Sequence, residues 1–298
     1  MAEIPARLSI NQPVFREPET RSRVVLRRIT RDRVGMIGFV VVAGFVLAAL
    51  AAPFLGLPDP VARNMTVALK PPGSPGHLLG TDQFGRDLLS RVVWGGRISI
   101  TVGIIASLVA VGVGVPLGMA SGYLGGRVDS LVMRLTDMML AFPYILLALV
   151  VVAARGPGLQ NALIAVAITN IPFYLRVTRS IVVTVAHQLF VENALAMGAT
   201  TGRILRTAIF PAMIPYITVA FTVSVGWLIL EASSLSFLGL GAQPPLPEWG
   251  AMLADARTYI SIAPFVVIIP GLAIFLLVIN LNLAGDTLRD ALDVELKE

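Results

Sequence analysis

Long apolar stretches constrain the fold of this chain more than any other feature of its sequence. A helix rises about 1.5 Å per residue, so about 20 apolar residues are needed to cross about 30 Å of hydrocarbon. Six stretches approach or exceed this length, at residues 36–57, 98–123, 138–154, 159–175, 208–230 and 261–285. We therefore predict an all-α polytopic membrane protein with six transmembrane helices.

The composition argues against the main soluble classes of protein. Hydrophobic residues make up 56% of the 298 residues and charged residues only 14%, whereas a soluble domain carries about a quarter charged residues. The chain has no cysteine, so it offers neither a disulfide framework nor a cysteine nucleophile or metal ligand. A water-soluble enzyme is therefore not expected.

The placement of arginine predicts the orientation of the spans, because short cytoplasmic flanks retain an excess of Lys and Arg. Eight arginines and four acidic residues precede the first span. The N-terminus is therefore predicted to be cytoplasmic, and six spans return the C-terminus to the same side. Membrane topology accounts for the basic net charge, and nucleic acid is not an expected partner.

The predicted organisation follows from these spans and this orientation. It consists of a cytoplasmic segment at 1–34, a first transmembrane helix at 35–57, an external loop with an amphipathic segment at 58–97, a five-helix core at 98–285 that contains a cytoplasmic loop at 186–207, and a cytoplasmic tail at 286–298.

The cytoplasmic segment between the fourth and fifth spans has the pattern of two short helices. Residues 189–198 allow a helix with small side chains on one face, Gly198 permits a tight bend, and Thr200 is suited to cap a second helix. Pro211 lies near the start of the fifth span, where a missing amide donor costs little. A face of small side chains lets another protein approach closely.

This segment resembles the EAA loop, Glu-Ala-Ala-x3-Gly-x9-Ile-x-Leu-Pro, of ABC importer permeases. The spacing matches at Glu192, Ala194, Gly198 and Pro211. Three motif residues differ, since Asn193, Ala208 and Phe210 stand where the motif has Ala, Ile and Leu.

Further runs are similar to the peptide/nickel branch of the same family. They lie at residues 80–87, 122–129, 133–137 with 142–143, and 236–241, and the resemblance covers residues 22–290 in all. On these motifs the chain is identified as a member of the ABC importer permeases, in the second-permease group of dipeptide and oligopeptide importers.

The resemblance implies a type I ABC importer permease fold in a bacterial inner membrane. It also implies a homologous permease, two ATPase subunits and an extracytoplasmic substrate-binding protein as partners. Glu192, Ala194, Gly198 and Pro211 are then expected to contact the ATPase subunits. The sequence contains no Gly-x4-Gly-Lys-Ser/Thr loop, so ATP and magnesium are expected on those partners, and the chain itself is not expected to be an enzyme or to hold a cofactor or metal.

Close relatives within the family carry nickel, glutathione and other small solutes, so these stay open beside short peptides. An ion-gradient secondary transporter would also use several spans and membrane carboxylates, but it leaves the EAA loop unexplained. An intramembrane hydrolase is disfavoured because Gly-x-Ser-x-Gly, His-Glu-x-x-His and Gly-x-Gly-Asp motifs are all missing.

Three ionisable residues near membrane depth are candidates for the translocation path or its gating, because charges at that depth are costly. Arg134 and Asp137 are three residues apart at the cytoplasmic end of the third span, where we expect a mutual ion pair, with a contact towards the ATPase side as the alternative. Glu231 is expected to end the fifth span near the outer mouth. It either faces the substrate path or reaches external water.

Small residues recur every four positions in the second span, at Ala106, Ala110, Gly114, Gly118 and Gly122. Such a seam lets another helix approach closely. We expect it to pack within the chain, with the partner permease as the alternative. The external residues 80–97 and 243–257 are expected to dock the binding protein, with Trp94 and Trp249 anchored at the membrane interface.

Overall fold

The computed structural model describes residues 21–293, and side-chain surroundings for residues 26–292. Within that range the chain forms helices and no β-strand. The helices are α1 (Arg21–Arg31), α2 (Arg33–Ala51), α3 (Leu88–Leu124), α4 (Gly126–Leu140), α5 (Tyr144–Arg155), α6 (Leu159–Val185), α7 (Leu189–Ala196), α8 (Thr201–Ile204), α9 (Phe210–Phe237), α10 (Trp249–Ala256) and α11 (Phe265–Asp293). The prediction of an all-α polytopic membrane protein is confirmed.

Five helical segments in the described range are long and apolar enough to cross a membrane, and a bent helix pair makes a sixth candidate. The third span, predicted at 138–154, is broken, because α4 and α5 meet at 90° across residues 141–143. Pro143 explains the break, since it lacks an amide donor and disfavours helical backbone at the preceding Phe142. The second span starts at Leu88, ten residues before the predicted boundary, where the Asp87 carboxylate accepts a hydrogen bond from the Ser90 amide at 2.8 Å.

Successive membrane-spanning segments run in opposite directions, so their ends lie on two sides of the bundle. We call the end at which α2 begins the near side, and the opposite end the far side. The start of α2 meets the end of α11, where the Thr287 hydroxyl donates to the Asp32 carboxylate at 2.6 Å and lowers the pKa of Asp32. The N-terminal residues 1–20 and the tail beyond Asp293 lie outside the described residues.

The small-residue seam of α3 packs against α6 of the same chain, as expected. A Cβ atom added at Gly118 would lie 2.6 Å from the Leu175 carbonyl oxygen, and one at Gly122 would lie 3.0 Å from the Arg179 carbonyl oxygen. Later positions in α3 contact later positions in α6, so the two helices run parallel. The two backbones approach closely here because glycine has no side chain to keep them apart.

Trp249 lies in the interior and not at a membrane interface, so its predicted anchoring role is wrong. Its side chain is fully buried at the start of α10, and its indole N–H donates to the Val92 carbonyl at 2.9 Å. Gly95 and Gly96 of α3 leave the space that the ring occupies. Trp94 stays half-buried, with the Arg97 guanidinium 5.8 Å from its ring centre.

The predicted docking surface at 80–97 is largely interior as well. Arg86 is buried and donates to the Asp82 carboxylate at 2.5 Å, and Asp255 of α10 lies 3.4 Å from the same guanidinium. Arg91 is also buried beside Asp82. This ion-pair cluster joins the segment before α3 to α10. These buried residues therefore stabilise the fold and do not form an exposed docking surface. In the second predicted segment, residues 243–246 are exposed but residues 247–252 are buried.

Candidate functional site

The clearest candidate site is the near-side loop, which we define as residues 186–209. It contains α7, a bend at Gly198, α8 and a π-helical turn at Leu205–Ile209 that runs directly into α9. Buried Val191 and Ile204 hold the loop against Val182 at the end of α6. The loop is therefore a folded element attached to two membrane helices.

Gly198 makes the bend that the sequence predicts. Its φ is +77°, a conformation that side chains other than glycine rarely adopt. The amide of Gly198 donates to the Leu195 carbonyl at 2.9 Å, and the amide of Ala199 donates to the Ala194 carbonyl at 3.0 Å. Thr200 stands at the N-cap of α8, but its side chain makes no capping hydrogen bond.

The loop exposes large apolar side chains among polar ones such as Asn193 and Arg203. Met197 is 82% exposed and Leu189 is 76% exposed, and Leu195 is exposed between them. Glu192 is exposed on the same short helix, and a Cβ added at Gly198 would meet open space within the part of the chain that the structure describes. Large apolar side chains left in water outside the spans mark a surface for another protein.

The structure places the four EAA-loop residues along one connection. Glu192 and Gly198 are exposed, Ala194 is half-buried, and Pro211 is exposed in the first turn of α9. Sequence reasoning missed the exposed apolar residues of this loop. The sequence does indicate them, because Leu189, Leu195 and Met197 are apolar residues in a segment that is predicted to lie outside the membrane.

The expected ion pair between Arg134 and Asp137 is wrong. The Asp137 carboxylate instead accepts a hydrogen bond from Arg176 of α6 at 2.5 Å, while Arg134 is exposed. Arg179 of α6 donates to both carboxylate oxygens of Asp129, at 2.5 and 2.7 Å. Two salt bridges therefore join α4 to α6 on the near side, because α4 is bent away from α5 and lies across α6.

Glu231 lies inside the bundle, so its predicted position at the end of the fifth span and its escape to external water are wrong. It is 4% exposed and stands six residues before the end of α9 at Phe237. One carboxyl oxygen accepts a hydrogen bond from the indole N–H of Trp227 at 2.5 Å, and the Thr169 side chain of α6 also interacts with this carboxyl. The fifth span continues past the predicted end, which is why Glu231 is not terminal.

A cavity of about 540 Å³ opens on the near side between α6, α9 and α11. Its walls are mostly apolar, with Arg176 and Arg289 at its rim, so it is large enough for a small solute. Among residues 21–293 no three His, Asp or Glu side chains come together in the manner of a metal site.

Two family models match the chain. The model described as "Binding-protein-dependent transport system inner membrane component" matches residues 114–297. The model described as "N-terminal TM domain of oligopeptide transport permease C" matches residues 20–72.

Curated relatives align along almost the whole chain. The dipeptide transport system permease protein DppC of Alkalihalophilus pseudofirmus is 44% identical over 92% of this chain and 90% of its own length. The glutathione transport system permease protein GsiD of Pectobacterium atrosepticum is 43% identical over 96% of this chain and 95% of its own length.

Among solved structures, inward-facing conformations of the MetNI methionine ABC transporter contain a chain of the same fold. The match has a TM-score of 0.58 at 18% identity and covers 68% of this chain and 97% of that chain.

Proposed function

This chain belongs to the family of binding-protein-dependent transport system inner membrane components, and we propose that it is the permease subunit of an ATP-driven importer of dipeptides or short oligopeptides. The single observation that carries the coupling part of this proposal is the near-side loop. It is folded, it presents exposed apolar side chains outside the spans, and it continues without interruption into α9.

The substrate class rests on the relatives. Their names specify dipeptides in one group and glutathione in another, and the two groups are about equally similar to this chain. Glutathione is itself a short peptide, so both names share one chemistry, a small flexible molecule with amide bonds and charged ends. Dipeptides are the main proposal and glutathione is the second candidate.

The near-side loop is the proposed contact with an ATPase subunit. Met197, Leu195 and Leu189 would enter an apolar groove of the partner, with Glu192 at the rim of the contact. ATP and magnesium would be bound by that partner, and a homologous permease would complete the path.

The loop suits a role in force transmission because α8, the π-helical turn and α9 form one continuous helical segment, Thr201–Phe237. A movement of the loop towards or away from the membrane would therefore shift or tilt α9 directly. The Asp129–Arg179 and Asp137–Arg176 salt bridges would move α4 together with α6, on which the loop is also anchored.

We propose a multi-pass position in a bacterial inner membrane with the near side cytoplasmic. Arg27, Arg28, Arg31 and Arg33 flank the start of α2 on that side. The far-side cations include Arg86 and Arg91, which oppose this rule in the sequence. Both are buried among the carboxylates of Asp82 and Asp255, so they add little net charge to the far-side surface.

The test is uptake by proteoliposomes that contain this chain, its permease partner and the ATPase subunits, with the cognate binding protein outside and ATP inside. We expect ATP-dependent accumulation of a radiolabelled dipeptide, and competition by unlabelled dipeptides. Accumulation of nickel or of glutathione with no dipeptide uptake would refute the main proposal. Uptake by the permease pair without ATPase subunits would refute ATP coupling.

A further inference from the structure

A pair of aromatic side chains stands out on the surface of α5 and α9. Trp227 is 47% exposed and Tyr144 is 42% exposed, and their ring centres lie 5.8 Å apart in an edge-to-face arrangement. Tyr144 is the first residue of α5 and directly follows the break in the third span.

The depth of this pair argues against an interfacial anchor. Tyr144 is eleven positions before Arg155 at the far end of α5, so it lies about 16 Å from that end at 1.5 Å per residue. Ten residues separate Trp227 from the end of α9 at Phe237, which is about 15 Å. Both rings therefore lie near the middle of a core of about 30 Å, away from the two interfaces where aromatic anchors collect.

The break beside Tyr144 indicates what this surface faces. Residues 141–143 are exposed and not helical, yet irregular backbone at membrane depth is tolerated only against protein or in a water-filled cavity. A groove of about 290 Å³ begins beside Ile145, the residue after Tyr144, and its walls are mostly apolar, with Leu230, Phe237 and Ile274 among them. The exposed break, and not the groove, therefore places this surface against protein or a water-filled path rather than lipid.

Glu231 lies one helical turn beyond Trp227 and supports its indole. The carboxyl accepts the indole N–H at 2.5 Å while being 4% exposed itself. A buried carboxyl in a membrane helix is costly, so its presence calls for a role. Holding one face of an exposed indole in a fixed orientation is the role that this contact offers.

We propose that Trp227 and Tyr144 form the part of the path that a peptide contacts halfway across the membrane, and that Glu231 is the positioning residue for Trp227. The inference rests on the proposed function, because it names the residues that meet that substrate. Aromatic faces suit this task, since they contact apolar side chains, amide groups and ammonium groups without requiring a single orientation.

The experiment uses the complete importer in proteoliposomes and compares Trp227→Leu, Glu231→Leu and Glu231→Gln with wild type. Trp94→Phe is the control at a tryptophan outside this pair. Trp227→Leu removes the indole ring, and Glu231→Leu removes the hydrogen bond that holds the ring in place. Each variant should lower the turnover number about three- to tenfold. The KM for the liganded binding protein should change less than about twofold, because docking occurs elsewhere. Glu231→Gln keeps an acceptor and should restore turnover.

A double variant separates positioning from a general structural role. If Glu231 acts through Trp227, adding Glu231→Leu to Trp227→Leu should lower turnover no further. Trp227→Leu should also change the ratio of dialanine to diphenylalanine uptake, which a defect in assembly would leave constant. Additive losses, an unchanged ratio, or failure of Trp227→Leu to assemble with the partner permease would overturn the proposal. Wild-type importer that moves neither peptide would instead refute the proposed function.

Discussion

Gly198→Val is the perturbation that the near-side loop predicts most sharply. Among the described residues, no atom beyond the adjoining residues lies within 4 Å of a Cβ added there, so the new side chain has open space around it. The cost is in the backbone, because φ is +77° and a β-branched residue strongly disfavours that conformation. The strain of the left-handed region is about 1–2 kcal/mol for a residue with a Cβ.

The chain relieves this strain by losing the bend between α7 and α8. Binding of an ATPase subunit then has to restore the bend, so the affinity falls by the strain energy. A cost of about 1–2 kcal/mol corresponds to a dissociation constant that is about 5- to 30-fold higher. Insertion and helix packing should stay intact, because Gly198 lies outside the spans and the cores.

The assay is binding of the purified ATPase subunit to the permease pair in nanodiscs, together with ATP-dependent uptake. Gly156→Val is the matched control, since Gly156 has a φ of +88° and equally open space but lies on the far side between α5 and α6. It should carry at least as much backbone strain, because its ψ is +162°, without weakening ATPase binding. Glu192→Ala should weaken binding less, because the carboxylate is exposed at the rim.

Wild-type affinity and uptake in Gly198→Val would refute this reasoning. An equal loss of affinity in Gly156→Val would also refute it, because the effect would then come from general destabilisation of the chain and not from the loop.

Three further predictions concern packing, the far-side ion pairs and topology. Gly118→Val should lower the free energy of unfolding by about 1–3 kcal/mol or prevent assembly, because its Cβ would lie 2.6 Å from the Leu175 carbonyl. Gly112→Ala is the control, since Gly112 has open space around it. Equal lowering of the melting temperature in both variants would contradict the packing of the seam against α6. Arg86→Met should cost at most about 3–5 kcal/mol, because it removes the closer of the two guanidinium groups that face the buried Asp82 carboxylate. Arg97→Met at an exposed site should cost less than about 1 kcal/mol, and similar melting temperatures would contradict the buried cluster. Reporters fused after Arg33, within residues 176–206 and after Asp290 should all report cytoplasm, and an external signal from the middle fusion would reverse the orientation.

The sequence predicts those parts of the fold that depend on local pattern. Apolar length identifies the membrane helices, and the four-residue spacing of small side chains identifies the seam of α3. The bend at Gly198 is predicted because glycine permits a tight turn between two short helices. These features are encoded within a few turns of one helix or loop, so a single sequence suffices.

Contacts between distant residues could not be predicted in the same way. Arg134 and Asp137 have suitable helical spacing, but Asp137 pairs with Arg176, which is 39 residues away. The burial of Trp249 depends on the space left by Gly95 and Gly96, on another helix. The break at Pro143 and the extension of α9 past Glu231 change which side chains reach the surface, and neither is visible from apolar length alone.

The most direct test of the central claim, that the near-side loop faces the cytoplasm and binds an ATPase subunit, uses the absence of cysteine in this chain. Met197→Cys places one thiol at a position that is 82% exposed. A membrane-impermeant maleimide should label it in inside-out vesicles stripped of ATPase subunits and not in intact spheroplasts, and adding back the ATPase subunits should block labelling. Labelling from the outside, or labelling that the ATPase subunits leave unchanged, would contradict the account.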